Sequence, residues 1–208
     1  MWVKICGITR LEDAVEAARF GADAVGFVFA ESPRRVTRDQ ARTISRRMPD
    51  GPAKVGVFVN SPLEDVRETA GYCRLDYVQL HGDEDREYCA ALGDMAIKAM
   101  RVNGSVDIAR AGNYTCHTLL FDCYDPKRRG GTGKTFDWTM LKLLDGKPRI
   151  IVAGGLSPEN VGAAIKAARP FGVDVSSGIE IEPGRKDPVM MHRFIEKARR
   201  AGYEVDGC

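Results

Sequence analysis

The sequence predicts an α/β protein, a single (β/α)8 TIM barrel, and three observations carry that expectation. Eight short β-type runs recur along the chain, a helical pattern follows nearly every one, and the 208 residues divide into units of similar size without a linker or a shift of composition. Strands alternating with amphipathic helices mean a parallel sheet covered by helices. An open doubly wound sheet could hold the same strands, but equal units near the lower size limit of the barrel favour closure. Residues 1–208 are therefore read as one barrel domain.

The first strand, Val3 to Cys6, passes into a helix through Lys4-Ile5-Cys6-Gly7-Ile8-Thr9. Alternation puts Lys4 and Cys6 on one face and Val3 and Ile5 on the other. Thr9 with Glu12 forms a capping-box pattern, and Leu11, Ala14, Val15 and Ala18 follow at helical spacing. The further strands are Ala24 to Phe29, Lys54 to Val59, Tyr77 to His81, Ala96 to Met100, Thr118 to Asp122, Arg149 to Ala153 and Gly172 to Ser176. Between them, Ala41, Ile44 and Met48 mark the second helix, Leu63, Val66 and Ala70 the third, and Tyr88, Ala91 and Leu92 the fourth. The pattern is thin from Asn103 to His117, where Gly112 interrupts it, so a short helix or a plain loop fits there. Phe136 to Leu144 gives the sixth helix, Val161, Ala164, Ile165 and Ala168 the seventh, and Met191, Phe194, Ile195 and Ala198 the last.

Composition excludes several function classes. The 31 basic and 29 acidic side chains leave a formal charge of +2 and are dispersed, so neither a nucleic-acid stripe nor an acidic tail is present. The longest apolar runs are strand-sized and no leader pattern opens the chain, which predicts a soluble cytoplasmic protein without membrane partners. Cysteines at 6, 73, 89, 116, 123 and 208 form no C-x-x-C pair and no zinc-like spacing with the three histidines. They point to a reduced compartment, with no disulfide frame and no metal.

Active sites of such barrels lie at the carboxyl ends of the strands and in the loops that follow. Those positions hold Cys6, Arg34 and Arg35, Gln79 and His81, Lys98 and Arg101, Asp122, Gly154 and Gly155, and Asp174 with Ser176. By parity, Gln79 with His81, Leu120 with Asp122, and Asp174 with Ser176 each share a face, which predicts a polar ring at the barrel mouth. Ionisable groups placed there cost desolvation free energy unless they are paired or used. Each has a duller reading. Cys6 could be a small core hydrophobe, His81 a loop hydrogen-bonder, Asp122 a turn cap or a partner of Arg101 or Lys98, and the two arginines a solvated pair. All these coincidences would have to fall at one end of one architecture.

The loops after the seventh and eighth strands, Ala153-Gly154-Gly155-Leu156-Ser157 and Ser176-Ser177-Gly178, combine glycines with hydroxyls. Their amides make an anion cradle where many barrels hold a phosphate. A third cluster, Gly130 to Lys134, lacks P-loop spacing and reads as a flap.

Taken together, KICGIT at 4–9, GFVFAESPRRV at 26–36, VGVFVN at 55–60, VQLHGDE at 78–84, LLFD at 119–122, GGTGKTFDW at 130–138, AGGLSPENV at 153–161, DVSSGIE at 174–180 and PGRKD at 183–187 closely resemble the phosphoribosylanthranilate isomerase family of tryptophan biosynthesis. The resemblance covers almost the whole chain. It implies a cofactor-free Amadori rearrangement of a small phosphosugar substrate, with Cys6 as general base and Asp122 as general acid. It further implies that Arg34 meets the anthranilate carboxylate while Arg35 stands by. Gly154, Gly155, Ser176, Ser177 and Gly178 take the phosphate, and Asp174 and His81 line the ribose side. From the strand parity, Lys4 is the candidate to ease ionisation of Cys6. Departures are small: Cys123 and Tyr124 follow the acid, and Gly202 to Cys208 fall outside the motifs. Two alternatives stay open, the related histidine-pathway isomerase and a non-catalytic phosphosugar-binding regulatory barrel. Either a monomer or a homodimer fits the sequence.

Overall fold

Eight parallel strands close on themselves in chain order: β1 (Trp2–Cys6), β2 (Ala24–Val28), β3 (Ala53–Phe58), β4 (Tyr77–Leu80), β5 (Ala96–Val102), β6 (Thr118–Cys123), β7 (Arg149–Val152) and β8 (Gly172–Val175), with β8 pairing back onto β1. The structure, a computed structural model, describes residues 1–102, 104, 108, 111–112, 114, 116–123, 136–144 and 149–206. All eight expected strands are present, with ends shifted by at most two residues.

Alternation along these strands sorts side chains into two cores. Inside the barrel, Ala24, Val55, Ile97, Ala99, Leu120, Ile151 and Ala153 form a cluster floored by Trp2, Ala53 and Tyr77. Outside, Val3, Ile5, Val25, Phe27, Val78, Leu80, Leu119 and Phe121 pack into the larger core shared with the helices. The register at the closing seam sets Lys4 of β1 beside Ala24 of β2 and Asp174 of β8.

The outer layer contains α1 (Leu11–Arg19), α2 (Arg38–Arg47), α3 (Leu63–Cys73), α4 (Arg86–Leu92), α5 (Val161–Ala168) and α6 (Pro188–Asp206). The expected stripes of α5 and α6 are buried at every position. In α4 only Cys89 is fully buried, while Tyr88 and Leu92 are half-buried and Ala91 is exposed, because a helix of two turns docks only one narrow edge. The segment after β6 is a 3-10 helix, Trp138–Leu144, and not the α-helix its spacing suggested.

Thr9 does not cap α1. The helix starts after Arg10, which makes no side-chain cap, and the Thr9 hydroxyl instead donates to the Gly184 carbonyl at 2.5 Å. A tertiary hydrogen bond has taken the group that local pattern assigned to the helix. The buried face also moves by one position, to Asp13, Ala14 and Ala17, because the Asp13 carboxylate accepts from the Lys186 amide at 3.1 Å. A capping box does form at α2. There the Gln40 amide donates to Thr37 Oγ1 at 3.2 Å and the Thr37 amide donates to Gln40 Oε1 at 2.8 Å.

Between β8 and α6 lies an element with no counterpart in the sequence reading. It is an antiparallel hairpin, β9 (Glu180–Glu182) and β10 (Arg185–Lys186), which carries Lys186 back under the barrel mouth. The described cysteines Cys6, Cys73, Cys89, Cys116 and Cys123 are buried and in no disulfide among the described residues. Among the described residues no helix is long and apolar enough to cross a membrane. The Gly130 to Lys134 cluster, Tyr124 and Cys208 lie outside the described residues.

Phe194 on α6 is wholly buried. Phe194→Ala is expected to lower unfolding free energy by about 3–5 kcal/mol, read from urea denaturation, whereas Tyr203→Ala on the exposed side of the same helix should stay within about 0.5 kcal/mol. Equal effects at the two positions would contradict the packing described.

Candidate active site

At the carboxyl ends of the strands a cleft of about 880 Å³ opens. Cys6, Arg34, His81, Asp122, Gly154, Gly155, Asp174, Ser176 and Ser177 all line it, and Gln79 lies at its floor. Ten of the barrel's sequence-selected polar and glycine positions are thus in one place. Gly178 stands apart from the lining and serves loop packing, since a Cβ there would fall 1.9 Å from the Leu156 carbonyl oxygen. Arg35 is exposed and outside the lining.

Two members of the expected polar ring turn elsewhere. Lys98 has outward parity on β5, and its ammonium is buried beneath the β4–α4 loop, 2.9 Å from Glu84 and 2.8 Å from the Gly82 carbonyl. Arg101 pairs with Asp83 at 3.1 Å. Neither is the partner of Asp122. That neighbour is His81, whose Nε2 lies 3.3 Å from Asp122 Oδ2, close but without the alignment of a full hydrogen bond.

The floor of the cleft is a polar belt. Lys4 is fully buried, and its ammonium donates to Asp174 Oδ1 at 2.9 Å and to Gln79 Oε1 at 3.0 Å. Gln79 Nε2 lies 2.9 Å from His81 Nδ1, and His81 in turn reaches Asp122. A chain of contacts therefore runs across the barrel from Asp174 on β8, through Lys4 on β1 and Gln79 and His81 at the end of β4, to Asp122 on β6. A buried ammonium costs several kcal/mol unless paired and hydrogen-bonded. Burial works to strip the Lys4 proton, but Asp174 and Cys6 outweigh it and raise its pKa, so it remains an ammonium.

Cys6 sits one alternation above Lys4. Burial raises its thiol pKa, and the nearby Asp174 charge adds to that, while Lys4 and Lys186 pull the other way without prevailing. The resting thiol is therefore neutral. Space for it comes from Gly26 on β2, where a Cβ would lie 2.9 Å from Cys6 Sγ. Across the cleft Gly154, at φ +79, performs the same service for Asp122, because a Cβ there would meet the Cys123 amide nitrogen at 2.4 Å and Asp122 Oδ1 at 2.5 Å. Only glycine tolerates both that backbone and that approach.

A second ionic layer caps the β8 side. Arg34 is gripped by Glu180, with Nε to Oε1 at 2.8 Å and Nη2 to Oε2 at 2.6 Å. Lys186 donates to the same carboxylate at 2.8 Å and to Ser176 Oγ at 3.4 Å. Burial opposes the Glu180 charge, yet the hydrogen bonds from Arg34 and the Lys186 ammonium hold its pKa below the usual carboxylate value. Glu180 and Lys186 were not among the residues selected from sequence. Their only signal lay in the DVSSGIE and PGRKD motifs, which contain them.

Known proteins resemble this chain along nearly its whole length. The family model described as N-(5'phosphoribosyl)anthranilate (PRA) isomerase matches residues 3–197. The N-(5'-phosphoribosyl)anthranilate isomerase of Pelobacter propionicus is 47% identical over 203 residues, covering 97% of each chain. The crystal structure of phosphoribosyl anthranilate isomerase from Thermotoga maritima is 45% identical, covers 96% of this chain and 99% of its own, and superposes with a TM-score of 0.90. A crystal structure of a phosphoribosyl anthranilate isomerase in complex with reduced 1-(o-carboxyphenylamino)-1-deoxyribulose 5-phosphate is 42% identical, covers 96% of this chain and 99% of its own, and has a TM-score of 0.86.

The raised thiol pKa makes a direct expectation. In the ligand-free protein, iodoacetamide labelling of Cys6, followed by mass spectrometry of its peptide, should still be accelerating as pH passes 9.0, the ordinary thiol value. Lys4→Met, which removes a charge that favours the thiolate, should move the midpoint higher still. A rate already level at neutral pH would contradict the burial described.

Proposed function

The chain belongs to the N-(5'-phosphoribosyl)anthranilate isomerase family, and on that premise we propose that it converts N-(5'-phosphoribosyl)anthranilate to 1-(2-carboxyphenylamino)-1-deoxyribulose 5-phosphate in tryptophan biosynthesis, with Cys6 as general base and Asp122 as general acid. The observation that carries the assignment is the shared cleft. Thiol and carboxyl, 116 positions apart (122 − 6), line one opening beside two glycine- and serine-bearing loops.

The chemistry asks for one acid and one base. Asp122 gives a proton to the furanose ring oxygen as the bond from C1′ to that oxygen breaks and the anthranilate nitrogen forms a Schiff base with C1′. The Cys6 thiolate then takes the proton from C2′, leaving an enolamine that tautomerises to the C2′ ketone. No electrons leave the substrate, so the residues need only move protons and hold the ends of the molecule. Gly154, Gly155, Ser176 and Ser177 hold the phosphate with amides and hydroxyls, and Gly178 lets their two loops meet. Asp174 and His81 line the ribose side.

Arg34 has less freedom than a solvated arginine. Glu180 occupies Nε and one proton of Nη2, which leaves Nη1 and the second Nη2 proton for a substrate carboxylate. The guanidinium is thereby held in one orientation before substrate arrives, which reduces the ordering cost of binding. Cys6 is neutral at rest, so the active fraction is the thiolate that Lys4 and Lys186 stabilise from either side. Charge dispersed along the sequence and buried cysteines without C-x-x-C spacing support a cytoplasmic setting.

Turnover is measured by loss of anthranilate fluorescence on freshly made phosphoribosylanthranilate. Cys6→Ala and Asp122→Asn are each expected to lower kcat by about 10²-fold or more, the scale of one positioned proton transfer, with affinity for a product analogue nearly unchanged. Arg34→Met should raise KM more than it lowers kcat. If either Cys6→Ala or Asp122→Asn keeps full activity, the corresponding role is wrong.

A further inference from the structure

The belt across the cleft floor has a direction that hydrogen-bond chemistry dictates. An ammonium has only donors. The Gln79 atom 3.0 Å from Lys4 Nζ must therefore be its carbonyl oxygen, which turns the amide NH2 toward His81 Nδ1 at 2.9 Å. That amide group can only donate, so Nδ1 must accept. A neutral imidazole that accepts at Nδ1 carries its proton at Nε2. Nε2 is the atom 3.3 Å from Asp122 Oδ2, and it is a buried nitrogen with no other hydrogen-bond partner among the described residues.

We infer that Lys4 and Gln79 are positioning residues that lock His81 as its Nε2–H tautomer, so that His81 donates to Asp122 Oδ2 and the transferable proton of the acid resides on Oδ1. This inference rests on the reading of Asp122 as the general acid. Oδ1 is the oxygen that lies against Gly154, where any side chain would strike it. The belt thus aims the acid toward the loop side of the cleft. Asp174 belongs to the same device, since it anchors the ammonium whose second hydrogen bond orients Gln79. The long His81 to Asp122 separation fits a ligand-free site, where catalytic hydrogen bonds are often slack and tighten once substrate is bound.

Two readouts test the inference, one of the tautomer itself and one of its consequence for turnover. The first is the long-range proton–nitrogen correlation spectrum of the ¹⁵N-labelled full chain at neutral pH. Only three histidines are present, and His117→Gln and His192→Gln, both at exposed positions, assign the spectrum. The expected result is His81 protonated at Nε2 alone. Protonation at Nδ1, or at both nitrogens, overturns the inference without any variant of the belt.

The second readout is Gln79→Glu, which offers an acceptor to both Lys4 and His81 and so should move the imidazole proton to Nδ1. That variant is expected to lose about tenfold to a hundredfold in kcat, within the ~10²–10⁴ range of a positioned proton transfer, with KM changed less than about threefold. Uncharged Gln79→Leu should fall between it and the parent. Wild-type kcat in a folded Gln79→Glu protein, or a change confined to KM, overturns the positioning role. Failure of the underlying reading is distinguishable, because it appears as full activity of Asp122→Asn whatever the His81 spectrum shows.

Discussion

A fully buried ammonium organises this molecule. Lys4 lies inside a closed barrel, where an unpaired ion would cost several kcal/mol, and the register of β1 on β8 supplies its counter-ion at 2.9 Å. Because the barrel closes through that same seam, the pairing that completes the sheet also neutralises its interior charge. A slip of one residue would turn Lys4 or Asp174 to the outer face and separate the pair. Cys6 above the pair, Gly26 beside it and Gln79 opposite it all take their places from that contact. Removing one partner of such a pair typically destabilises by about 3–5 kcal/mol, because the other charge is left buried and uncompensated.

Above this belt a second ionic layer joins the β2–α2 loop to the β9–β10 hairpin. Arg34, Glu180 and Lys186 form it, and Ser176 receives the Lys186 ammonium. Cys6 therefore has a lysine on either side, yet burial leaves its thiol protonated at rest. The two layers divide the work. The lower one sets hydrogen-bond direction between the β1 side and Asp122, and the upper one holds the guanidinium rigid at the rim. Outside the barrel, Lys98 and Glu84 make a comparable buried pair that fastens the β4–α4 loop next to His81. Buried ions in this protein thus fix loops and orientations. Cohesion comes from the two apolar cores.

Strand positions, their inward and outward parity and the long stripes of α5 and α6 were legible in the linear chain, because each follows from a local period of two or 3.6 residues. Parity also put Lys4 with Cys6, and Gln79 with His81, on common faces. Where local pattern failed, a distant partner had intervened. Thr9 left its helix for Gly184, Asp13 turned inward to meet Lys186, and Lys98 joined Glu84 instead of the mouth. The outward direction of Lys98 was readable in principle from its place between Ile97 and Ala99, both interior residues.

By itself, then, the sequence determined the barrel class, the strand order and the candidate set Cys6, Arg34, His81, Asp122 and the two glycine- and serine-bearing loops. Those depend on periodicity, on turn chemistry and on motifs that are contiguous along the chain. Only the tertiary structure decided the pairing of Lys4 with Asp174, the grip of Glu180 on Arg34, the return of Lys186 beneath the mouth and the direction of the Gln79 amide. Each joins residues on different strands or loops, and closure of the barrel is what brings them within hydrogen-bond reach. No local period encodes such a distance.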